Sequence, residues 1–432
     1  MMMLLFAALQ VGAQVVDIGA AAGASDEPMV APPPVNPAGE SVALTTELER
    51  SNYLRGGVAF EGAYNDNIFT STPPVGDASY TIYPTIEFDM TRSRLHWDLN
   101  YTPGFTFFQK FTDANQVDHL FSTDLSYRMS PHVTLSLHDN LAKTPSFSGF
   151  LQPSSATGSS AVQATTFLIV PALTNTFSNS SSGQITYQFA RDTMLGFGGS
   201  SSQTYFLDDN TSATGLFDSS SRSGRAFYTH RFGSKNYLGA NYEFEDIESH
   251  PIELETQVHS ASLFYTFYLG PHVSFSLFGG AQHSDTRGSG FPSLMSWSPT
   301  EGGGMNWQGE RNSFALNVSR SILPGGGLQG AVNSFSMTAS SHHQLTPHLT
   351  GNLQASYSTN DVLQLGSLAQ TSGHIFMFSG YCSRVLGKHL SAELGYSRIN
   401  QHYNNFAAIS GNPDIDRGWI RIAYQFERPL GR

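Results

Sequence analysis

Cysteine is almost absent. Cys382 is the only one in 432 residues, so no intramolecular disulfide can form, and no Cys/His spacing marks a structural zinc site. Lying within an apparent strand, this lone thiol is expected to be a small buried residue. Charge is scarce as well, at 13% of residues, and the 22 basic residues are scattered singly among a background of 34 acidic ones. No cationic stripe is available to follow a phosphate backbone, so nucleic acid is not expected as a partner. Long hydrophobic runs are also missing: none exceeds about ten residues, against the roughly 20 that a membrane-crossing helix needs. A helical membrane protein is thereby excluded. The mean hydropathy of -0.21 does not decide solubility, because strands that alternate apolar and polar residues average to the same value.

What the chain does contain is glycine (41 residues), aromatic side chains (12%) and much Ser, Thr and Asn, a composition of many strands joined by turns. The start, Met1-Met2-Met3-Leu4-Leu5-Phe6-Ala7-Ala8-Leu9, is a short apolar core followed by the small residues Val11-Gly12-Ala13. It reads as a signal peptide over 1–13, cleaved before Gln14. The first basic residue is Arg50, so the true start codon is expected a few codons upstream. Residues 14–50, with Pro32-Pro33-Pro34 and many Ala and Gly, cannot build a core and read as a disordered periplasmic linker.

From about Leu54 to Arg428 one theme recurs: ten to sixteen residues of alternation, then a turn. Gly418, Ile420, Ile422, Tyr424 and Phe426 share one face of the last segment, with Trp419, Arg421, Ala423 and Gln425 on the other. Leu95, Trp97, Leu99 and Tyr101 alternate likewise with His96, Asp98, Asn100 and Thr102. One face suits lipid and the other water. Segments of this length exceed the five or six residues usual in soluble sandwiches and meet the roughly nine to eleven needed to cross a bilayer at a tilt.

The turns come in two alternating kinds. Short ones fall near Ser93, Pro131, Asp192, Ser234, Pro271, Glu310, Pro347 and Gly387, at spacings of 38, 61, 42, 37, 39, 37 and 40. The chain therefore returns to one side about every forty residues, with longer polar loops between. Short periplasmic turns and long extracellular loops are the habit of outer-membrane barrels. Eight short turns need sixteen strands, and one more at each end gives eighteen (range 16 to 20), with both termini in the periplasm. The expected fold is an all-β transmembrane antiparallel up-and-down barrel over 51–432, in contact with outer-membrane lipid and lipopolysaccharide.

Near the first strand's end, Tyr64-Asn65-Asp66-Asn67-Ile68-Phe69 resembles the motif found at that place in the β-barrel porin-2-like outer-membrane protein family. That resemblance implies an outer-membrane barrel and, since members are often associated with exopolysaccharide systems, a link to polymer export. The last strand's Tyr424-Gln425-Phe426 resembles the signal read by the barrel-assembly machinery, which makes Tyr424 and Phe426 the expected assembly residues. Six residues follow Phe426 here, whereas in that signal the aromatic is usually last.

Alternation places Glu87, Asp89, Asp98, Asp124, Glu243, Glu245 and Glu393 on the lumenal face, with Arg128 and Arg421 among the few cations there. They are the candidate pore-lining residues: either a wall that favours cations or solvated side chains screened by salt beyond about 8 Å. The longest loop, about Lys143 to Asn175, is the third on the extracellular side, and Phe167-Leu168-Ile169-Val170-Pro171 gives it an apolar piece in need of cover from water. In porins the third loop folds inward to narrow the channel; an outward flap or extended hairpin is the alternative. Of fifteen histidines only His342-His343 are adjacent, and strand neighbours point to opposite faces. With no nucleophile elbow, zincin helix or phosphate loop, neither enzyme activity nor a cofactor or metal is expected.

A barrel of this size leaves an aqueous lumen unless something plugs it. The reading that follows is a porin-like channel for passive or weakly selective diffusion of small solutes. The alternative is an outer-membrane component of an exopolysaccharide export or secretion system, for which lumenal aromatic rows, with Tyr83, Phe264 and Tyr268 as candidates, would offer sugar rings a stacking surface.

Overall fold

The computed structural model describes residues 52–144, 168–171, 173–207, 215–251, 253–270, 272–288, 291–363, 371–404 and 413–429. The expected signal peptide and linker, together with Phe167, lie outside these residues, as does Pro271 of the fifth short turn. The described chain is almost entirely strand, apart from a single 3-10 turn at Thr112–Ala114. The first six strands are β1 (Asn52–Asn65), β2 (Asp77–Thr91), β3 (Leu95–Phe108), β4 (Gln116–Ser130), β5 (Val133–Thr144) and β6 (Thr176–Ala190). The next six are β7 (Thr193–Phe206), β8 (Asp218–Phe232), β9 (Asn236–His250), β10 (Leu254–Gly270), β11 (Val273–Gly288) and β12 (Phe291–Gln308). The last six are β13 (Asn312–Pro324), β14 (Ala331–Thr346), β15 (Leu349–Val362), β16 (Ser372–Val385), β17 (Leu390–Asn404) and β18 (Asp414–Pro429).

Each strand pairs antiparallel with its sequence neighbour, and β18 pairs with β1, so the 18-stranded sheet closes on itself. The short connections are those expected from the turn spacing, from Arg92-Ser93-Arg94 between β2 and β3 to Leu386–His389 between β16 and β17. They gather at one end of the barrel, and the long loops lie at the other.

Alternation sorts the side chains as the sequence pattern predicts. Ile420, Ile422, Tyr424 and Phe426 of β18 are exposed, while Trp419 and Arg421 between them are buried. Leu263, Leu277, Leu353 and Leu394 are exposed on other strands. Tyr187, Phe189, Phe232 and Trp307 ring the short-turn end, and Tyr64, Tyr80 and Phe107 stand toward the long-loop end. An apolar outer belt between aromatic margins on a closed sheet is a transmembrane barrel of the outer-membrane type. Cys382 corrects one expectation. It lies on β16, as its sequence context implied, but is exposed rather than buried, opposite the exposed Leu394 of β17. In a membrane barrel the outward face is the apolar one, so a small apolar residue does not signal the interior.

The closing seam is held by charge. Glu61 of β1 sits on the lumenal wall and accepts hydrogen bonds from Arg421 Nε (3.0 Å) and Nη2 (2.6 Å), and from Arg417, both on β18. Trp419 Nε1, between the two arginines, donates to Glu393 of β17 at 2.8 Å. On the outer face the tip of the Phe426 ring occupies the space beside Gly56, where any Cβ would meet it. At the long-loop end the Tyr64–Phe69 motif finishes the seam. Asp66 Oδ1 accepts from Asp416 N–H (2.8 Å), Asn67 Nδ2 donates to the carbonyls of Ser71 (3.0 Å) and Asp414 (3.2 Å), and Asn67 Oδ1 accepts from Ser71 N–H (2.9 Å). The motif ties the first loop to the last strand.

A one-residue slip between β1 and β18 would turn these charges outward to lipid, so the cluster fixes register as well as closure. Replacing Glu61 by leucine leaves two arginines buried without their carboxylate, a loss of about 3–5 kcal/mol. We predict that Glu61→Leu lowers the urea midpoint of the refolded barrel accordingly, whereas Glu427→Gln, at the partly exposed short-turn margin, shifts it little. Equal midpoints for Glu61→Leu and the parent would refute the clasp.

Candidate channel constriction

In the loop after β5, Leu168-Ile169-Val170 lies inside the barrel with each residue about 1% exposed. Of the two courses open to this loop, its described residues 168–170 take the inward one. Its apolar side chains find cover from both sides of the lumen. Leu168 and Ile169 join Phe206 of β7, Leu216, Leu328, Val332 of β14, Val362 of β15 and Tyr403 of β17 in one cluster. Val170 packs with Ile375, Ile399 and Ile415 of β16 to β18. Since β7 and β17 stand nearly opposite each other in the eighteen-strand ring, this layer reaches across the lumen.

A loop buried this way must also satisfy its backbone polar groups. Gln401 of β17 does so with both ends of its amide: Oε1 accepts from Val170 N–H (3.0 Å) and Nε2 donates to Val170 C=O (2.7 Å). Asn360 Nδ2, on β15, donates to Leu168 C=O (3.3 Å) and to Tyr403 Oη (2.7 Å), whose own hydroxyl donates to the same Leu168 carbonyl. Thr70 Oγ1 donates to Pro171 C=O at 3.3 Å. The wall thus presents side-chain amides where a neighbouring strand would present backbone.

A second segment folds in to meet the first. Consecutive strand residues point to opposite faces, yet Ala331 and Val332 are both 0% exposed, while Ile322 and Leu323 pack in two different apolar clusters. The tip of the β13–β14 hairpin therefore has protein on both faces and lies within the barrel. Phe217 N–H donates to Gly327 C=O (3.1 Å) and Gly330 N–H to Ser249 Oγ (3.3 Å), which anchors the tip to the β8–β9 wall. The turn is made by Gly326 and Gly327, at φ +53° and +108°, and a Cβ on Gly327 would come within 2.4 Å of Ile169 Cδ1. Glycine is needed here both for the backbone and for the approach of the two segments.

Toward the short-turn end the wall is polar and acidic. Asp89, Asp98 and Asp124 stand directly opposite one another in register across β2, β3 and β4, and His138 of β5 continues the row beside Asp124. Carboxylates facing each other across strands repel, so this row works against sheet stability. Arg55 offsets part of it, donating to Glu87 at 2.7 Å and lying 4.0 Å from Asp89. Glu87, Asp89 and Asp98 each offer a carboxylate oxygen within 4.8 Å of the others, a set able to hold a cation in passing. On β9, Glu243 and Glu245 share the inward parity, with Glu243 opposite Arg225 in register. Arg128 points inward between the exposed Tyr127 and Met129. Glu393 and Arg421 belong to the seam cluster. By strand parity the nine candidate residues face inward: four in the acidic row and beside it, two on β9, two at the seam, and Arg128 apart.

Sequence reasoning missed Gln401, Asn360 and Tyr403, and it missed the hairpin tip. The run Gly325-Gly326-Gly327 before Leu328 was a signal for the tip. Nothing distinguishes Gln401 and Asn360 from the other inward polar residues until the loop is seen against them.

No protein-family profile matches the chain, and no curated protein does. Among solved structures it is similar to OccK2 (OpdF) of Pseudomonas aeruginosa, at 12% identity and a TM-score of 0.44 over 87% of this chain and 98% of that one. It is also similar to Pseudomonas aeruginosa OpdK, solved with vanillate, at 12% identity and 0.43 over 87% and 99%. Acinetobacter baumannii OccAB4 gives 11% and 0.40 over 88% and 99%.

Each hydrogen bond from wall to loop contributes about 1 kcal/mol. We predict that the double substitution Gln401→Ala with Asn360→Ala frees the Leu168–Val170 segment and raises single-channel conductance in a planar bilayer, with the barrel still folded. Unchanged conductance would show that the segment does not limit the pore.

Proposed function

We propose that this protein is a porin-like channel of the bacterial outer membrane that lets small hydrophilic solutes diffuse through a narrowed lumen with a preference for cations. The observation that carries the reading is the row Asp89–Asp98–Asp124 on the wall, beneath a lumen narrowed by two inward segments. Across a fully open eighteen-strand lumen, salt would screen such charges beyond about 8 Å. Solutes that pass the narrowing enter this acidic stretch of wall, where rows of carboxylates select by attraction the ions that come within that distance. Keeping like charges adjacent costs stability, which is understandable if their field serves permeation.

The polymer-export alternative would need aromatic faces turned to the lumen. Tyr83, Phe264 and Tyr268 do point inward, but all three are buried, with Tyr83 over Gly104 and Phe264 over Gly239 on neighbouring strands. At 4–5% exposure they leave the lumen little ring surface, which favours small solutes over a stacked sugar chain. Assembly through Tyr424 and Phe426 belongs to the same proposal. Both are exposed on the last strand, with Phe426 at the seam, where assembly machinery could reach them before closure.

The test is conductance of the refolded protein in a planar bilayer under a salt gradient. We expect steady open steps and a reversal potential of the sign that marks cation preference. Asp98→Asn with Asp124→Asn should reduce that preference, and Asp124→Lys should weaken it further or invert it. A folded but electrically silent barrel would sink the channel reading, and an unchanged reversal potential in the variants would sink the role given to the row.

A further inference from the structure

The barrel wall is not equally deep all round. β12 is the longest strand at 18 residues, yet it pairs with β13 over eight rungs only, Glu301–Gln308 with Ser313–Arg320. The next shortest seam, β2 with β3, has ten. Above Glu301 the two strands part. The outer arm of β12, residues 291–300, stays with β11, and among the described residues it has no partner on its other edge. β13 goes on with β14, and the hairpin they form bends into the lumen.

The fork is built rather than frayed. Gln282 of β11, 2% exposed, lies at its crotch: Nε2 donates to Pro299 C=O on one arm (3.3 Å) and Oε1 accepts from Ile322 N–H on the other (3.4 Å). One side chain holds both arms apart. Pro299, first on the outward face above the last rung, has no N–H to offer a partner strand, which is how prolines sit on sheet edges. Thr300 is nine residues above Gly309 of the short turn, about 20 Å up a barrel tilted near 45°. The fork therefore opens near the outer margin of an apolar band about 25 Å tall. At that depth an unpaired edge is tolerable, which it would not be at the bilayer centre.

The two sides of the fork match in chemistry. Outside, Trp297 and Met295 of the free arm are 72% and 64% exposed, more than most apolar side chains of the belt. Inside, the bent hairpin packs Ile322 and Ala331 against Ile247 and Val258, and Leu323 carries the apolar surface on to the Leu168–Leu328 layer. The layer that narrows the lumen is apolar, whereas the wall below it is polar. An apolar layer suits a hydrocarbon chain, and the surrounding bilayer supplies such chains at the mouth of the fork.

We propose that the β12–β13 fork is a side portal through which the hydrocarbon chain of a single-chain amphiphile, of the long-chain fatty-acid class, passes between the outer leaflet and the apolar layer inside the barrel. This does not rest on the lumen conducting ions. The test is photolabelling of the whole refolded protein in phospholipid vesicles with a long-chain fatty acid bearing a diazirine at its tail, with adducts located by peptide mass spectrometry. Adducts are expected on the buried inner set, Val258, Ile322 and Leu328, as well as on belt residues such as Leu263 and Leu394. Met295→Lys with Trp297→Lys places charge on the outer rim without touching the packed interior. It should cut the inner adducts about fivefold or more and leave the belt adducts unchanged. Labelling confined to the belt in the parent protein, or inner labelling undiminished in the lysine variant, overturns the portal.

Discussion

Everything in this molecule depends on the fact that lipid offers backbone N–H and C=O groups nothing to bond with. A sheet placed in a bilayer must close, and closure makes the first and last strands neighbours however far apart they are in sequence. The chain meets that requirement with its most elaborate interactions. Glu61 with Arg417 and Arg421 inside, Phe426 beside Gly56 outside, and the Asn65–Asn67 turn bonded to β18 above all serve the one seam that no hairpin turn can hold. The seventeen other seams are joined by a local connection. This one has no connecting turn, so side chains from β1, β18 and the first loop reinforce its backbone ladder.

Closure at eighteen strands creates a second problem, because the lumen is too wide for wall side chains to fill. Two segments enter it, and the wall answers each in kind. Where the Leu168–Val170 backbone passes, Gln401 and Asn360 stand in for a missing strand; where the glycine turn of the β13–β14 hairpin arrives, Ser249 and Phe217 do. Drawing that hairpin inward opens the wall beside β12, so the constriction and the fork are two results of one bend. Gln282 marks its pivot.

Strand identity, facing and count were legible because a period of two is written residue by residue and because short and long turns alternate. The same pattern put Asp98 and Asp124 on the inner face. It could not bring them side by side, since that depends on register between strands that share no short-range signal. Cys382 was misjudged for a related reason: burial in the sense of soluble proteins is inverted in a barrel whose outside is the apolar side. For the apolar stretch Leu168–Val170 the sequence showed a need for cover without saying what would cover it. Its partners come from strands β7 and β14 to β18, between about forty and two hundred and fifty residues away.

The sequence by itself determined a transmembrane barrel of eighteen strands, which residues face lipid and which face inward, and which end carries the long loops. These follow from alternation and turn length, and both are local. Only the tertiary structure decided that Leu168–Val170 of the third loop lies inside, that Gln401 and Asn360 hold it, that three aspartates form a row, and that β12 and β13 part at Pro299. Each of these is a meeting of distant segments across a closed ring, and the choice among such meetings is made by packing and by the satisfaction of buried polar groups, which no single stretch of sequence contains.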